Sequence, residues 1–582
     1  MLCEFVQQLS QLRKSSAEAI ENTDSFAVNK QYLHVERTVE RELRQLLRRV
    51  NETSHKSLVL LCGSAGDGKS HLMSYLKHAD SEGLLDSFEL YNDATESSEP
   101  SLTAIETLAG KLSSFSDVNY HIEDGKKMII AINLGMLNNF IMSEQGKSFS
   151  LLKTYVESNG IFSLAQNLSP YQEDSVFHHV SFSDYQVFAL SSQGIVTTYL
   201  EELFHKVFQA TESNAFYCAY QSNSSCPLCK RCPVRHNYEF LSNPDNQKYV
   251  IQRIVEVVLK DKAIVSTREV LNLIYDLLVH PDFDYAGFVQ ATTEEVTLIE
   301  NYLRFTTPMI LNEGSDISSL LNNIILHDPL RSRKATIDNE AMHFHSLEEI
   351  GNSFLSVTVS TPYAILNDVS TISHLGAMKP ELKKLVYKFL IRTKDFNGHP
   401  YQHNPELFNS YIAFLYSQNT GNTRNQRDLY NATKKAIYKW NGDFGDNVIC
   451  IDDTNEYYWV LERLYIKPFM STAGSMASSE PISRFKTTLH LAFCKDNDPE
   501  NYIAEIDMDY SLFEMIFAMR NGYRPTWQDK NLHTDFVSFV QNIIGFGEKA
   551  THIIIMPKNG ERNVRYTYSA DDFGPEFKEV IT

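Results

Sequence analysis

The stretch SLVLLCGSAGDGKSHLMSYLKHA, residues 57–79, changes character twice in quick succession. Leu58 to Cys62 is an unbroken apolar run of strand length, glycines then punctuate the chain, and from Lys69 the sequence reads as a helix. Strand, glycine-rich turn and helix in that order are what a phosphate-binding loop needs. Gly63 and Gly68 frame Ser64, Ala65, Gly66 and Asp67, and Lys69 and Ser70 follow, which completes the spacing G-x-x-x-x-G-K-S. The glycines let backbone N–H groups turn inward, Lys69 can reach terminal phosphates, and the Ser70 hydroxyl can hold a magnesium ion at the helix N-terminus. Gly63 through Ser70, with the adjoining His71, are therefore the candidate nucleotide-binding positions.

Upstream, Tyr32, Val35, Val39, Leu43, Leu46, Leu47 and Val50 recur at steps of three and four, which predicts an amphipathic helix over 31–50. Its other face interleaves Arg37, Arg41, Arg44, Arg48 and Arg49 with Glu36, Glu40 and Glu42. That face reads as a solvated surface with helical ion pairs, or alternatively as a DNA- or partner-facing one. Downstream, SFELYNDATE (87–96) reads as a strand running to Asp93 and Glu96, LTAIETLAGKLSSF as a helix, KKMIIAINLGMLNNF as a strand ending at Asn133, and VSFSDYQVFAL (180–190) as a further strand containing Asp184. The alternation predicts an α/β fold, a three-layer P-loop NTPase domain of AAA+-like type with a mainly parallel sheet, the nucleotide lying at the carboxyl ends of its strands.

Hydrolysis also requires a carboxylate to hold magnesium and one to orient water, normally at the end of a strand beside the glycine loop. No apolar run followed by Asp-Glu occurs in the first 250 residues. Asn133 stands at a strand end where an acid is expected; an amide is no general base but can contact the γ-phosphate or the water. Asp93 and Glu96 are then the better metal and water candidates. Asp452 and Asp453, after the apolar VICI, match the missing pattern but lie nearly 400 residues beyond Lys69 and read as a strand running into an Asp-rich turn. Residues 250–279 predict a helical lid in which Ser266 or Thr267 caps the second helix and Arg268 falls in its first turn. Arg268 resembles a γ-phosphate sensor of AAA+-type lids, and reads equally as a surface ion-pair partner. Arg331 and Arg333 are candidates for a finger reaching a neighbouring subunit.

Cys218, Cys226, Cys229 and Cys232 have the spacing C-x7-C-x2-C-x2-C, with His236 after them. Four thiolates so spaced can close a tetrahedral structural zinc site. The triplet followed by Pro233 also resembles half of an iron–sulfur motif; the polar flanks favour zinc. Lys230, Arg231 and Arg235 make this knuckle the most plausible local contact for nucleic acid or a partner. Cys3, Cys62, Cys450 and Cys494 are scattered, and three of them sit in apolar or mixed runs that read as packing positions.

The whole chain, 582 residues with 53 Lys and Arg against 73 Asp and Glu, carries a formal charge of −20, which excludes a protein that coats DNA through a diffuse positive field. With 43% hydrophobic residues and 22% charged it is core-forming, and no apolar run approaches the ~20 residues of a membrane span. No secretion signal is read, so cytoplasm is the expected location. The expected organisation is a helical region over 1–50, the ATPase core over 51–210, a cysteine-rich metal-binding insertion over 211–245, a helical lid over 246–345, a helical region over 346–445 with basic amphipathic helices at 379–395 and 424–440, and an α+β domain over 446–582.

YLHVERTVE, CGSAGDGKSHL, YNDATES, IIAINLGMLNNF, CPVRHNYEFL and STREVLNLIYDLL together give the first 280 residues a resemblance to the DptF family, the ATPase subunits of phosphorothioation-dependent DNA restriction systems. The resemblance implies an anti-phage defence complex with DptG and DptH companion subunits that attacks DNA lacking the sulfur mark, this chain coupling ATP turnover to assembly or DNA engagement. It carries the phosphate-binding role onto Gly63, Gly66, Gly68, Lys69 and Ser70. DNA contact is expected through local basic patches or through partners, and a homo-oligomer is compatible with it. A different class of function is also open: a nucleotide-gated scaffold or switch in which turnover is incidental. A small-molecule kinase suits a much shorter chain.

Overall fold

The computed structural model describes residues 3–13, 31–64, 66–79, 82–92, 103–122, 124–162, 171–226, 229–283, 295–313, 318–332, 334–347, 362–363, 378–398, 404–422, 426–469, 481–496, 498–547, 552–559, 564–571 and 574–581. The chain divides into two units: Met1–Ala189 with Val196–His403 and Ser483–Phe485, and Leu190–Ile195 with Asn404–Ile482 and Lys486–Thr582. Among the described residues no helix is long and apolar enough to cross a membrane.

In the first unit, helix α1 (Glu4–Leu9) and helix α2 (Thr38–Glu52) precede β1 (Ser57–Gly63), which runs through the glycine turn into α3 (Lys69–Ala79). Then follow β2 (Glu89–Tyr91), α4 (Ala104–Lys111), β3 (Lys127–Asn133), α5 (Leu134–Met142), α6 (Ser150–Ser158) and β4 (Phe177–Ser181). The four strands make one sheet in the order β2-β3-β1-β4 with every neighbour parallel. Register places Gly63 opposite Asn133 and Cys62 opposite Ser181. Parallel sheets need both faces covered, and β1 is buried along its whole length. The pleat sends Val59 and Leu61 to one side, where Leu43, Leu47 and Val50 of α2 and Leu72 and Leu76 of α3 cover them. It sends Leu58, Leu60 and Cys62 to the other, against Leu108, Leu137, Phe140 and Leu152 of α4, α5 and α6.

Two expectations shift. The helix expected over 31–50 begins only at Thr38, with Arg37 extended at its N-cap and turned toward the glycine turn, while Arg48 stays on the surface paired with Glu82 and Arg44 pairs with the buried Glu40. The strand expected over 180–190 breaks at Phe182–Asp184, a 3-10 turn, before a separate strand Tyr185–Ser191. The buried Phe182 is drawn under the glycine turn, against Gly63.

Beyond the sheet, α7 (Thr198–Phe208), α8 (Ala215–Ser222), α9 (Pro233–Leu241), α10 (Pro244–Lys260) and α11 (Thr267–Leu278) form a helical region. Ser266 starts α11 through a reciprocal capping box with Glu269. A buried polar network ties α10 to the helix Pro380–Phe396: Arg253 donates to Asp395 at 2.6 Å and to Glu256 at 3.1 Å, and the Tyr249 hydroxyl shares Asp395. In the second unit Val448–Asp452, Tyr458–Arg463, His552–Pro557, Val564–Asp571 and Gly574–Ile581 make an antiparallel sheet. Asp452 belongs to that sheet and not to the one holding β1, and its carboxylate accepts the backbone N–H of Thr454 at 2.8 Å in a turn.

β4 carries two buried imidazoles, His178 at 2% exposed, stacked on Tyr171, and His179 at 6%, hydrogen-bonded through Nδ1 to the Tyr155 hydroxyl at 2.9 Å. Burial pushes both down to about 4. Each is neutral in the fold yet protonates near 6.5 when unfolded, so stability present above 6.5 is lost as pH falls from there toward about 4. Each imidazole contributes up to about 1.4 kcal/mol per pH unit in that window. Urea-unfolding midpoints of the first unit should therefore fall steeply across that window, and the dependence should flatten in His179→Gln by about one proton's worth.

Candidate functional site

The glycine turn is built by close approach. A Cβ on Gly63 would lie 2.8 Å from the Asp67 carboxylate and 2.9 Å from Phe182 Cβ, and one on Gly66, where φ is +87°, would lie 3.2 Å from Ser266 Oγ and 3.4 Å from Arg268 Cβ. Only glycine leaves that space open and tolerates that backbone. Lys69 Nζ folds back to donate to the carbonyls of Gly63 at 3.0 Å and Ser64 at 2.7 Å, while Asp67 accepts the Ser64 N–H. Ser70 sits in the first turn of α3. These features fit a phosphate group: small residues around a concave backbone, a lysine over it and a helix N-terminus behind it. A magnesium ion would find the Ser70 hydroxyl there.

The structure brings Arg268 to this turn: the first turn of α11 lies on Gly66, more than two hundred residues away in sequence. Asn133 arrives from the neighbouring strand tip, opposite Gly63. Its Oδ1 accepts the Met136 N–H at 2.6 Å and caps α5, so the amide presents its NH2, a donor suited to phosphate oxygen and not to activating water. His71 is held to one side by His34, whose Nδ1 lies 3.1 Å from His71 Nε2 and whose ring stacks on Tyr75. Ala65, Asp93 and Glu96 lie outside the described residues; Asn92, the last described residue before Asp93, has a buried Oδ1 with no hydrogen-bond partner among them. Arg331 is exposed in a short turn, and Arg333 lies outside the described residues.

Two residues at the site were not singled out in the sequence. Arg37 donates to the carbonyls of Asp67 and Tyr185, each at 3.3 Å, with its guanidinium over the rings of Phe182 and Tyr199. The solvated-face reading fails for this arginine because four distant groups enclose it, and its sequence spacing, in step with Arg41 and Arg44, hides that. Asp184, just past the end of β4, pairs with Arg484 at 3.0 Å, and burial raises its carboxyl above the ordinary range. Its strand-end position was masked by reading one continuous strand through it.

The cysteines do not act as one set. Cys218 points its thiol at the Glu212 carbonyl at 3.3 Å, whereas Cys232 stands at the N-cap of α9. None is in a disulfide, and among the described residues no group of three or more His, Cys, Asp or Glu side chains is already gathered to hold a metal. His236 is buried, and its Nδ1 meets the Tyr302 hydroxyl at 2.5 Å. Lys230 and Arg231 are exposed; Arg235 instead lies 4.0 Å over the Tyr220 ring and pairs with Glu239. Compared with known proteins, the chain matches no protein-family model and no curated protein.

Burial raises the Asp67 carboxyl above its ordinary range, against the opposing pull of the Ser64 N–H, Lys69 and Arg37. A raised acid penalises the fold once it ionises, so the penalty is present at neutral pH and disappears as pH falls through the folded value. Asp67→Asn keeps an acceptor for the Ser64 N–H and removes the charge. It should raise the melting temperature at pH 7, and the gain should shrink as thermal scans move toward pH 4.

Proposed function

We propose that the chain is a P-loop ATPase of AAA+-like type, with α10 and α11 as its lid, acting as the ATP-binding and hydrolysing subunit of a phosphorothioation-dependent DNA restriction complex. The observation that carries the nucleotide part is the convergence at one turn of three independent pieces: the G-x-x-x-x-G-K-S loop with Lys69 over it, Asn133 at the adjoining strand tip, and Arg268 of α11 on Gly66. In this reading backbone N–H groups of the loop and the Lys69 ammonium bind the phosphates, and Ser70 holds magnesium. The Asn133 amide donates to the γ-phosphate or the attacking water, and Arg268 neutralises charge that develops on the transferred group, a preorganised electrostatic role. Asp93 and Glu96 supply the carboxylates. The restriction-complex part rests on the sequence resemblance to the DptF family, with DptG and DptH as companions and DNA reached through them or through exposed cations such as Lys230 and Arg231.

The test is ATP turnover by the full chain, with and without duplex DNA. Lys69→Ala should abolish it, and Arg268→Ala should lower kcat by about 10²- to 10³-fold, the scale for losing one preorganised donor, with ATP binding retained. DNA should raise the wild-type rate. A second reading, a nucleotide-gated scaffold, draws on the commitment of the Asn133 oxygen to the α5 cap. Tight ATP binding without turnover, together with companion binding supported by a non-hydrolysable analogue, would establish that reading and refute hydrolysis.

A further inference from the structure

The thiols near α9 include one that sequence spacing passes over. α1 packs against α8. Its Phe5 is fully buried, edge-on to Tyr220 of α8 and to Tyr238 of α9, with ring centroids 6.0 and 5.5 Å apart. That anchor delivers Cys3, the residue before the first turn of α1, to the start of the α8–α9 connection, where Asn223 Nδ2 donates to Cys3 Sγ at 3.0 Å. Three residues on stands Cys226, and the Cys229 N–H bonds the Cys226 carbonyl at 3.0 Å, the tight turn that lets two thiols of a C-x-x-C unit face one centre. Cys232, at the N-cap of α9, lies within electrostatic reach of Cys3 and Cys226. Cys218 is not among them; its thiol is turned to the Glu212 carbonyl.

From this placement we propose that the chain binds a zinc ion through Cys3, Cys226, Cys229 and Cys232, with Cys3 in place of Cys218 as the fourth ligand. The chemistry is consistent at each point. Zinc takes four thiolates at about 2.3 Å in a tetrahedron. The N-terminus of α9 stands behind Cys232 and favours negative charge there. Four thiolates around a divalent cation leave a net charge of −2, which Lys230, Arg231 and Arg235 flank. Because no three of these groups are already gathered among the described residues, metal binding draws the side chains together and clamps α1 to the α8–α9 connection. This proposal does not rest on the nucleotide reading.

The measurement is metal content of the full chain purified under reducing conditions, together with the spectrum after cobalt(II) replacement, in wild type, Cys3→Ser, Cys218→Ser and Cys232→Ser. About one zinc per chain is expected in wild type and in Cys218→Ser, with thiolate-to-cobalt charge-transfer bands in both. Cys3→Ser and Cys232→Ser should lose the metal to a chelator at a concentration at least about tenfold lower, the smallest loss found even for outer contacts of a metal site. Should Cys3→Ser not fold, Cys3→His serves in its place: imidazole is also a zinc ligand, so this variant should keep the metal and shift the cobalt bands toward a three-sulfur, one-nitrogen set. An unshifted spectrum in Cys3→His, loss of zinc in Cys218→Ser with retention in Cys3→Ser, a wild-type chain that holds no zinc, or iron with acid-labile sulfide in its place would each overturn the proposal.

Discussion

The first unit depends on one requirement: a strand buried on both faces must turn into a helix through a tight glycine loop. Every nonpolar residue of β1 is already committed to the core, so the turn has to find its covering groups elsewhere. The missing Cβ atoms at Gly63 and Gly66 admit Phe182 from the end of β4 and the first turn of α11. The polar groups of the turn are then met from inside by Lys69 and Asp67 and from outside by Arg37. A buried carboxylate with two cations near it is a high-stakes arrangement, since desolvation outweighs the attraction and the acid is held above its ordinary range.

From this turn a continuous chain of contacts leads outward. Arg37 binds the Asp67 carbonyl and lies over the Tyr199 ring; the Tyr199 hydroxyl is 2.8 Å from the Thr267 hydroxyl; and Thr267 begins α11, whose next residue is Arg268. α11 is held further along by Glu269 to Ser319 at 3.0 Å and by Asp276 to Arg13. The α10 helix before it is pinned by Arg253 to Asp395, a fully buried pair whose loss leaves an uncompensated charge worth about 3–5 kcal/mol. Anything that moves the glycine turn therefore presses on α11 twice, directly at Gly66 and through Arg37 and Tyr199. The segment between Asp261 and Ala263, with Lys262 at φ +56°, is where the chain turns between the two helices.

How much of this was legible depends on the range of the contacts involved. β1, β3, α3 and α11 are written in local periodicity and caps, and the reciprocal bonds of Ser266 and Glu269 are a pattern four residues long. Lys69 and Ser70 are equally local. Arg37 was not legible, because its sequence neighbours put it in line with surface arginines and only Phe182, Tyr185 and Tyr199, about 150 residues away, draw it onto the glycine turn. The break at Phe182–Asp184 is likewise dictated by where Phe182 has to pack. Cysteine spacing cannot register a thiol carried in by a separate helix, and Cys3, which accepts from Asn223, comes from more than two hundred residues upstream.

Strand order bears on where acid chemistry has to come from. β3 lies between β1 and β2, so the strand tip beside the glycine turn belongs to Asn133, whose oxygen is spent on a helix cap. β4, on the other side, ends at Ser181; Asp184 follows in the 3-10 turn, and Arg484 already holds its carboxylate. The remaining carboxyl-terminal strand end is that of β2, two strand spacings or about 9–10 Å from β1. A magnesium ion and the outer phosphates of a nucleotide span a gap of that order, whereas a side chain alone does not. In the proposed ATPase, a carboxylate from the sequence after Asn92 would share the metal with the loop across the tip of β3, the strand that ends at Asn133. In that reading a donor, and not a second carboxylate, stands at the strand tip opposite Gly63.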